Sequence, residues 1–394
     1  MRWRGSIRAV GRALQREMER LGSNAEYRAV VWWLPLGLVI FFAVFFSQEV
    51  VGPLPVAVVD WDDTPLSRKV VSMIRTTPET RLVEEFADMD TARRALLEGR
   101  VVGVVEIEAE FERKVISGES AVVVYYDSGT NISANSLSAK GVQTAVATFG
   151  AGVAVEQAKM EGATDEEALA QAMPIALSTY ALFNPWLNYA YYIAPCFLAM
   201  VLIIATMLST IYAVGGELRD GSSVAWLRSA NGSVLGALVG KLIPATLALW
   251  LLAVVIGVIL FGVFGAPMRG EWAVLAVGVV ALIWAYQSIA VAVVALTASM
   301  RLSLSLGGGY SVLAFTFSGV TFPTMAMLSA VQPLTMLFPY TYFMRLYIDQ
   351  AVRGSAWWLS MQDLSAMLLF CLVSLFALRR LRRVSVNRKF WGRL

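Results

Sequence analysis

Histidine is absent from this chain, and cysteine occurs only as Cys196 and Cys371. Without histidine, the commonest metal ligand and the commonest general base are both missing. Each cysteine sits inside an oily run, so neither a disulfide framework nor a zinc site is expected. Charge is scarce too. Asp, Glu, Lys and Arg make up 15% of the 394 residues, 57% are hydrophobic, and the mean hydropathy is +0.62. A soluble domain carries about one-quarter charged residues, so composition alone points to a membrane protein. A secretory signal is not expected, because a polar stretch precedes the first apolar run and no small-residue cleavage site comes after it.

Nucleotide-binding motifs are lacking as well. GALVGKL, at 236–242, lacks the spacing of a phosphate loop and its magnesium-binding hydroxyl, and it leads into an oily segment. LSLGGGY fails likewise. No histidine is present for a Ser–His pair, and no acidic pair lies within an apolar run, so intramembrane catalysis has no support. We expect no catalytic residue, no metal site and no cofactor bound by this chain.

What is present is a set of apolar windows. A bilayer core of roughly 30 Å needs about 20 apolar helical residues. Six windows fit, at 30–50, 189–214, 242–264, 272–298, 304–322 and 364–381. Trp32, Trp33, Trp272, Trp357 and Trp358 stand at or just ahead of window ends, where amphipathic rings favour the headgroup level. The three consecutive glycines in SLGGGYS imply either close helix packing or a local break. Arginine and lysine cluster before the first window, after the second and after the last, and are sparse in the connections after the third and fifth. The positive-inside rule then places both termini in the cytoplasm and the long insert 51–188 outside. The fold class expected is an α-helical polytopic membrane protein of six transmembrane helices, with an inserted extracytoplasmic α/β domain.

Within the insert, LPVAVVD, VVGVVEIE and AVVVYYD read as buried strands. PLSRKVVSMIRTT and DMDTARRALLEGR read as amphipathic helices, the second capped by Asp90 or Thr91. A long Ala-rich helix is expected from 131 to about 172. The acidic cluster Asp60, Asp62 and Asp63 suggests paired carboxylates or a calcium site. No EF-hand spacing accompanies it, and turn and N-cap hydrogen bonds account for it better.

Arg4, Arg8, Arg12, Arg16 and Arg20 recur every four residues, with Ile7, Val10, Leu14 and Leu21 marking another face. That pattern gives an amphipathic helix on the inner surface, its cationic stripe beside anionic headgroups, setting topology, or supporting a cytoplasmic partner. Nucleic acid is excluded, since the arginines lack interleaved aromatics and adjoin a span. Farther on, Arg345 and Asp349 have the spacing of an ion pair in a short outer helix.

The segment ELRDGSSVAWLRS separates the second and third windows. Glu217, Arg219 and Asp220 fall at the inner interface, Gly221 permits a sharp turn, and Ser222 or Ser223 can cap a helix beginning there. Val224, Ala225, Trp226 and Leu227 can then form a short flat helix with Arg228 facing the cytosol. A helix offered to a docking partner explains that construction better than a loop resting on lipid.

In their order, these parts resemble the permease subunit of ABC-2 type exporters, in the subgroup with a large periplasmic domain between the first two transmembrane helices. VAVVDWDDTPLSRKVV and GRVVGVVEIEAEFERKVISGE resemble strand–helix units of that outer domain, and LFNPWLNYAYYIAPCF the approach to the second span. ELRDGSSVAWLRSANGSVLGALVGKLIP resembles the cytoplasmic segment with the coupling helix. SGVTFPTMAMLSAVQPLTMLFPYTYFMR resembles the outer half-inserted hairpin. Family members often carry a more highly charged turn.

The resemblance implies a bacterial inner-membrane, multi-pass subunit with segments 1–29 (cytoplasmic amphipathic helix), 215–241 (cytoplasmic loop with coupling helix), 323–363 (outer hairpin and short helices) and 382–394 (basic tail) around the six spans and the outer domain. A separate ABC ATP-binding subunit, carrying ATP and Mg, would dock on Glu217, Arg219, Asp220, Gly221, Ser222, Val224, Trp226, Leu227 and Arg228, with Glu217 transmitting movement. A second permease subunit, identical or sister, would complete a dimer. In Gram-negative relatives a periplasmic adaptor protein and an outer-membrane channel join it. The implied activity is export of hydrophobic or amphipathic cargo. A different class, a membrane-anchored receptor or mechanotransmitter whose outer domain binds an envelope partner, fits the same spans, and would not bring an ATP-binding subunit through purification.

Overall fold

The computed structural model describes residues 2–47, 52–173, 182–183, 188–320 and 322–392. It divides into two compact units, Met1–Val50 with Leu182–Leu394, and Val51–Ala181.

The first unit begins with α1 (Arg2–Ser23), which ends where Asn24 takes an extended conformation and accepts from Tyr27 N–H. Then α2 (Ala25–Arg28), a π turn over Ala29–Trp33 and α3 (Leu34–Phe45) run on as one apolar stretch, Ala25–Phe45. The helix thus starts earlier than the 30–50 window, whose last three positions lie outside the described residues.

In the other unit, β1 (Leu54–Asp60) leads through α4 (Pro65–Thr76) to β2 (Thr80–Phe86), and through α5 (Met89–Leu97) to β3 (Gly103–Ile107). Next come α6 (Phe111–Ser117) and β4 (Val123–Asp127). The strand order is β2-β1-β3-β4, with the first three parallel and β4 antiparallel. Alternation along β1 divides the core. Val56 and Val58 pack with α4, α6 and the next helix, α7 (Ile132–Met160), while Ala57 and Val59 pack with α5.

Strand β2 was not anticipated. TRLVEEF carries three charges in seven residues, as befits an edge strand protected from further pairing. Asp88, and not Asp90 or Thr91, caps α5, because its extended backbone lets its carboxylate accept from Thr91 N–H at 2.7 Å. The acidic cluster is turn chemistry. Asp60 accepts from the N–H groups of Asp62 and Asp63, both at 3.1 Å, and Asp62 accepts from Glu112 N–H at the start of α6. The long helix expected to about 172 is two helices. Gly162, at φ 97°, ends α7, and a Thr164–Glu167 capping box starts α8 (Asp165–Ala172).

The first unit resumes with α9 (Tyr189–Arg219), α10 (Ser223–Ser229) and α11 (Val234–Gly257), the last extended by a π turn over Val258–Val263. Beyond them are α12 (Trp272–Thr297), α13 (Met300–Thr316), α14 (Pro339–Tyr347), α15 (Met361–Phe370) and α16 (Val373–Val386). Helices α9 and α12 are buried over most of their length. Elsewhere Phe41, Phe45, Leu247, Trp250 and Phe376 stand exposed, as lipid-facing side chains do.

Among the described residues five helical stretches are long and apolar enough to cross a membrane: Ala25–Phe45, Tyr191–Arg219, Val234–Val263, Trp272–Thr297 and Trp357–Val386. The window at 304–322 corresponds to α13, which starts at Met300 and has 17 residues. Its glycines do not break it. Gly307 is buried so closely on α9 that a Cβ there would meet Ile211 Cδ1 at 2.7 Å. Asp349 pairs with Arg353 at 2.9 Å, in a π turn after α14, while Arg345 lies over the Tyr342 ring. The expected Arg345–Asp349 pair is therefore not formed.

Candidate functional site

The second apolar run does not stop at 214. Helix α9 continues through Gly215 and Gly216, and Glu217 sits in its last turns, fully buried. A bare carboxylate there would be very costly, so its partners define the site. Arg16 Nη1 donates to Glu217 Oε1 at 2.7 Å and Nη2 to Oε2 at 3.0 Å, a two-pronged pair. Arg20 Nη1 reaches the same Oε1 at 3.2 Å, and Lys241 Nζ donates to it at 2.8 Å. Lys241 is itself fully buried at the start of the third apolar run, and its ammonium also donates to Glu17. Glu17 accepts in turn from Tyr27 Oη at 2.8 Å. One connected cluster thus ties α1, α2, α9 and α11 together.

Burial pulls the Arg16 guanidinium down, but its hydrogen bond to Glu217 and the charges of Glu217 and Glu17 outweigh this and hold it above its ordinary range. A cation so held does not titrate near neutrality. The cluster is a joint in which each charged group meets a partner of opposite sign.

Small residues let α1 approach closely enough. Ala9, Ala13 and Glu17 fall at four-residue spacing on its buried face. Opposite stands Gly240, where a Cβ would meet Val10 O at 2.6 Å and Ala13 Cβ at 2.7 Å. The segment GALVGKL, which fails as a phosphate loop, is therefore a helix-packing surface that carries the buried Lys241 next to its end.

Over this joint lies α10. Gly221, at φ 65°, makes the turn between α9 and α10, a conformation that favours glycine. Ser222 stands at the N-cap position but caps nothing; its hydroxyl donates to the Glu217 carboxylate, and that of Ser223 to Glu217 O at 2.9 Å. Trp226 is buried, donates Nε1–H to Ala237 O at 3.1 Å and places its ring 5.5 Å from Lys241 Nζ. Leu227 is buried as well. Of this helix, Ala225 and Arg228 are exposed, with Val224 half-buried. Aspartate at position 227 would therefore report on packing before docking.

Arg219 pairs with Asp220 at 2.8 Å and sits over the Tyr212 ring. Asp220 also meets Arg20 at 3.1 Å.

The five-arginine stripe of α1 is not a single lipid-facing edge. Arg8 is exposed, whereas Arg12 donates to Ser229 O at 3.2 Å and Asn231 Oδ1 at 2.6 Å, and Arg16 and Arg20 turn inward. The Arg4 side chain lies outside the described residues. Glu17, Tyr27 and Lys241 were missed from sequence. Two signals were available: a lone lysine inside an apolar run, and the G-x-x-x-G spacing of Gly236 and Gly240 just before it. Among the described residues no group of His, Cys, Asp and Glu could hold a metal ion.

A search of the curated proteins finds no match. The family model described as ABC-2 family transporter protein matches residues 27–379.

Proposed function

Since the chain belongs to the ABC-2 transporter family, we propose that it is the six-span permease subunit of an ATP-driven exporter, moved by a separate ATP-binding subunit that grips α10 from the cytosol. The chain is a membrane component of that family, and membership implies an ATP-binding partner. In this reading ATP and Mg belong to the partner, a second permease copy completes the assembly, and both termini are cytoplasmic in a bacterial inner membrane. The cargo is hydrophobic or amphipathic and leaves the cytoplasm or the inner membrane. An adaptor and an outer-membrane channel would meet the outer domain.

The observation that supports this reading most is the Glu217 joint beneath α10. A rigid, satisfied polar cluster linking α1, α9 and α11 lets a push on one short helix reach two long ones together. Nucleotide-dependent contacts on the exposed side of α10 would then favour one arrangement of those helices over another. The test is gentle purification of the tagged protein from its native membrane. An ATP-binding subunit should accompany it, with ATPase activity that rises in the presence of the permease. A chain that comes alone, from membranes where its partner is expressed, overturns the reading.

A further inference from the structure

A cavity of about 430 Å³ lies between α11, α12 and the α15–α16 run. That is within the roughly 300–1,000 Å³ of sites for small organic molecules. Its wall is mostly apolar, and Leu247 and Trp284, both exposed, lie at its edge. Four polar side chains also line it: Thr246, Gln287, Ser288 and Ser374. Ser288 Oγ donates to Cys371 O at 3.0 Å and accepts from Ser374 N–H at 2.8 Å, and Ser374 Oγ donates to Cys371 O at 3.2 Å.

Gln287 is different. It is 3% exposed, and among the described residues its Nε2 has no hydrogen-bond partner. Thr246 Oγ1 lies 2.9 Å from Leu242 O and 3.0 Å from Gln287 Oε1, but a hydroxyl has only one hydrogen. If that hydrogen goes to Leu242, the amide can turn so that Nε2 donates to Thr246 and Oε1 becomes the bare end. Either way one end of a buried amide is unmatched. Gln287 is fifteen residues beyond Trp272, about 22 Å along α12 at 1.5 Å per residue, well inside a hydrocarbon layer where water is scarce.

We propose that this cavity is a binding site, reached sideways from the bilayer, for a long-chain lipid-like molecule bearing a hydroxyl group. A hydroxyl both donates and accepts, so it completes the amide in either orientation, while the chain fills the apolar wall. The site is separate from the Glu217 joint and holds whether or not the chain exports anything.

The test uses full-length protein in nanodiscs and two probes of equal length, a diazirine-bearing long-chain alcohol and the matching alkane. Photolabelled peptides are mapped by mass spectrometry. The alcohol should label peptides spanning 235–247 or 284–291 about fivefold more than the alkane, as one net hydrogen bond implies. Gln287→Leu should bring that ratio to about one while alkane labelling persists. Val291→Trp, which fills the cavity, should lower labelling by both. Gln287→Asn draws the amide back by one methylene and should also reduce the ratio, which covers the case where leucine impairs folding. Equal labelling of the native protein by both probes, or a preference that survives both Gln287 variants, overturns the proposal.

Discussion

Lys241 and Glu217 are both fully buried, and the ammonium donates to the carboxylate at 2.8 Å. Neither residue would be stable there alone, because an uncompensated buried charge is strongly destabilising. Lys241→Met leaves Glu17 and Glu217 facing each other with one cation fewer, and should cost about 3–5 kcal/mol, read as a lower unfolding temperature in detergent. Adding Glu17→Gln removes the carboxylate that has lost its cation and should restore part of the loss. A double variant no better than the single one would show that Glu17 and Lys241 do not act as a pair.

The contact between α1 and α11 is set by backbone proximity at Gly240, where even a methyl group would collide with Val10 O and Ala13 Cβ. Gly240→Val should separate the helices, cost about 1–3 kcal/mol, and expose α1 to limited proteolysis. Gly11, in the same α1 helix, has nothing among the described residues within 4 Å of a Cβ position. Gly11→Ala should therefore be neutral or stabilise by about 0.5–1 kcal/mol through helix propensity. The two substitutions differ in neighbours more than in chemistry, so equal proteolysis rates would contradict the packing.

Burial in α10 separates folding from docking. Leu227→Asp puts a charge among apolar neighbours and should lower the yield of folded protein. Arg228→Glu changes an exposed side chain and should leave yield and unfolding temperature unchanged, since surface substitutions usually stay within about 0.5 kcal/mol. If the ATP-binding partner grips this helix, Arg228→Glu should reduce its co-purification several-fold. Full retention of the partner by Arg228→Glu together with Ala225→Arg would remove α10 from the interface.

Much of this fold could be read in advance, because the governing patterns are local. Apolar runs marked the long helices, and β-branched runs marked β1, β3 and β4. β2 escaped because an edge strand such as TRLVEEF carries charge where a buried strand would not. The cap of α5 was misplaced by two residues or more, since Asp88, Asp90 and Thr91 can all cap and only the backbone geometry decides. Glu217 was singled out from the chain itself. Its partners were not, because Arg16 and Arg20 lie about two hundred residues away in sequence, and a four-residue arginine repeat looks the same whether it faces lipid, water or a carboxylate. Lys241 falls among the basic residues after the second window, where it is indistinguishable in sequence from a topology marker, and only its burial shows it to be a structural ion.

The α/β unit Val51–Ala181 should lose stability in acid. Burial works to raise the Asp62 carboxyl, but the Thr64 hydroxyl and backbone N–H groups at the start of α6 outweigh it and hold it below its ordinary range. Asp88 is lowered by the Thr91 backbone N–H and hydroxyl, and Glu108 by Lys114 and the Val122 N–H. A carboxylate with a depressed folded-state pKa stabilises the fold above its unfolded pKa, and that contribution fades as pH falls through the folded value. Between pH 7 and 5 these groups should contribute nothing to any change in stability; below about pH 4, where unfolded carboxyls take up protons, the domain should loosen. Hydrogen exchange of the full-length protein, corrected for intrinsic rate at each pH, should show protection falling first in β1, α5 and α6. Asp62→Asn should lower that protection at neutral pH and flatten its dependence on acid, because the amide cannot supply the charge-assisted acceptor that Glu112 N–H now meets at 3.0 Å. Uniform protection of the domain down to pH 3, in both native and variant proteins, would mean these carboxylates contribute nothing to its stability.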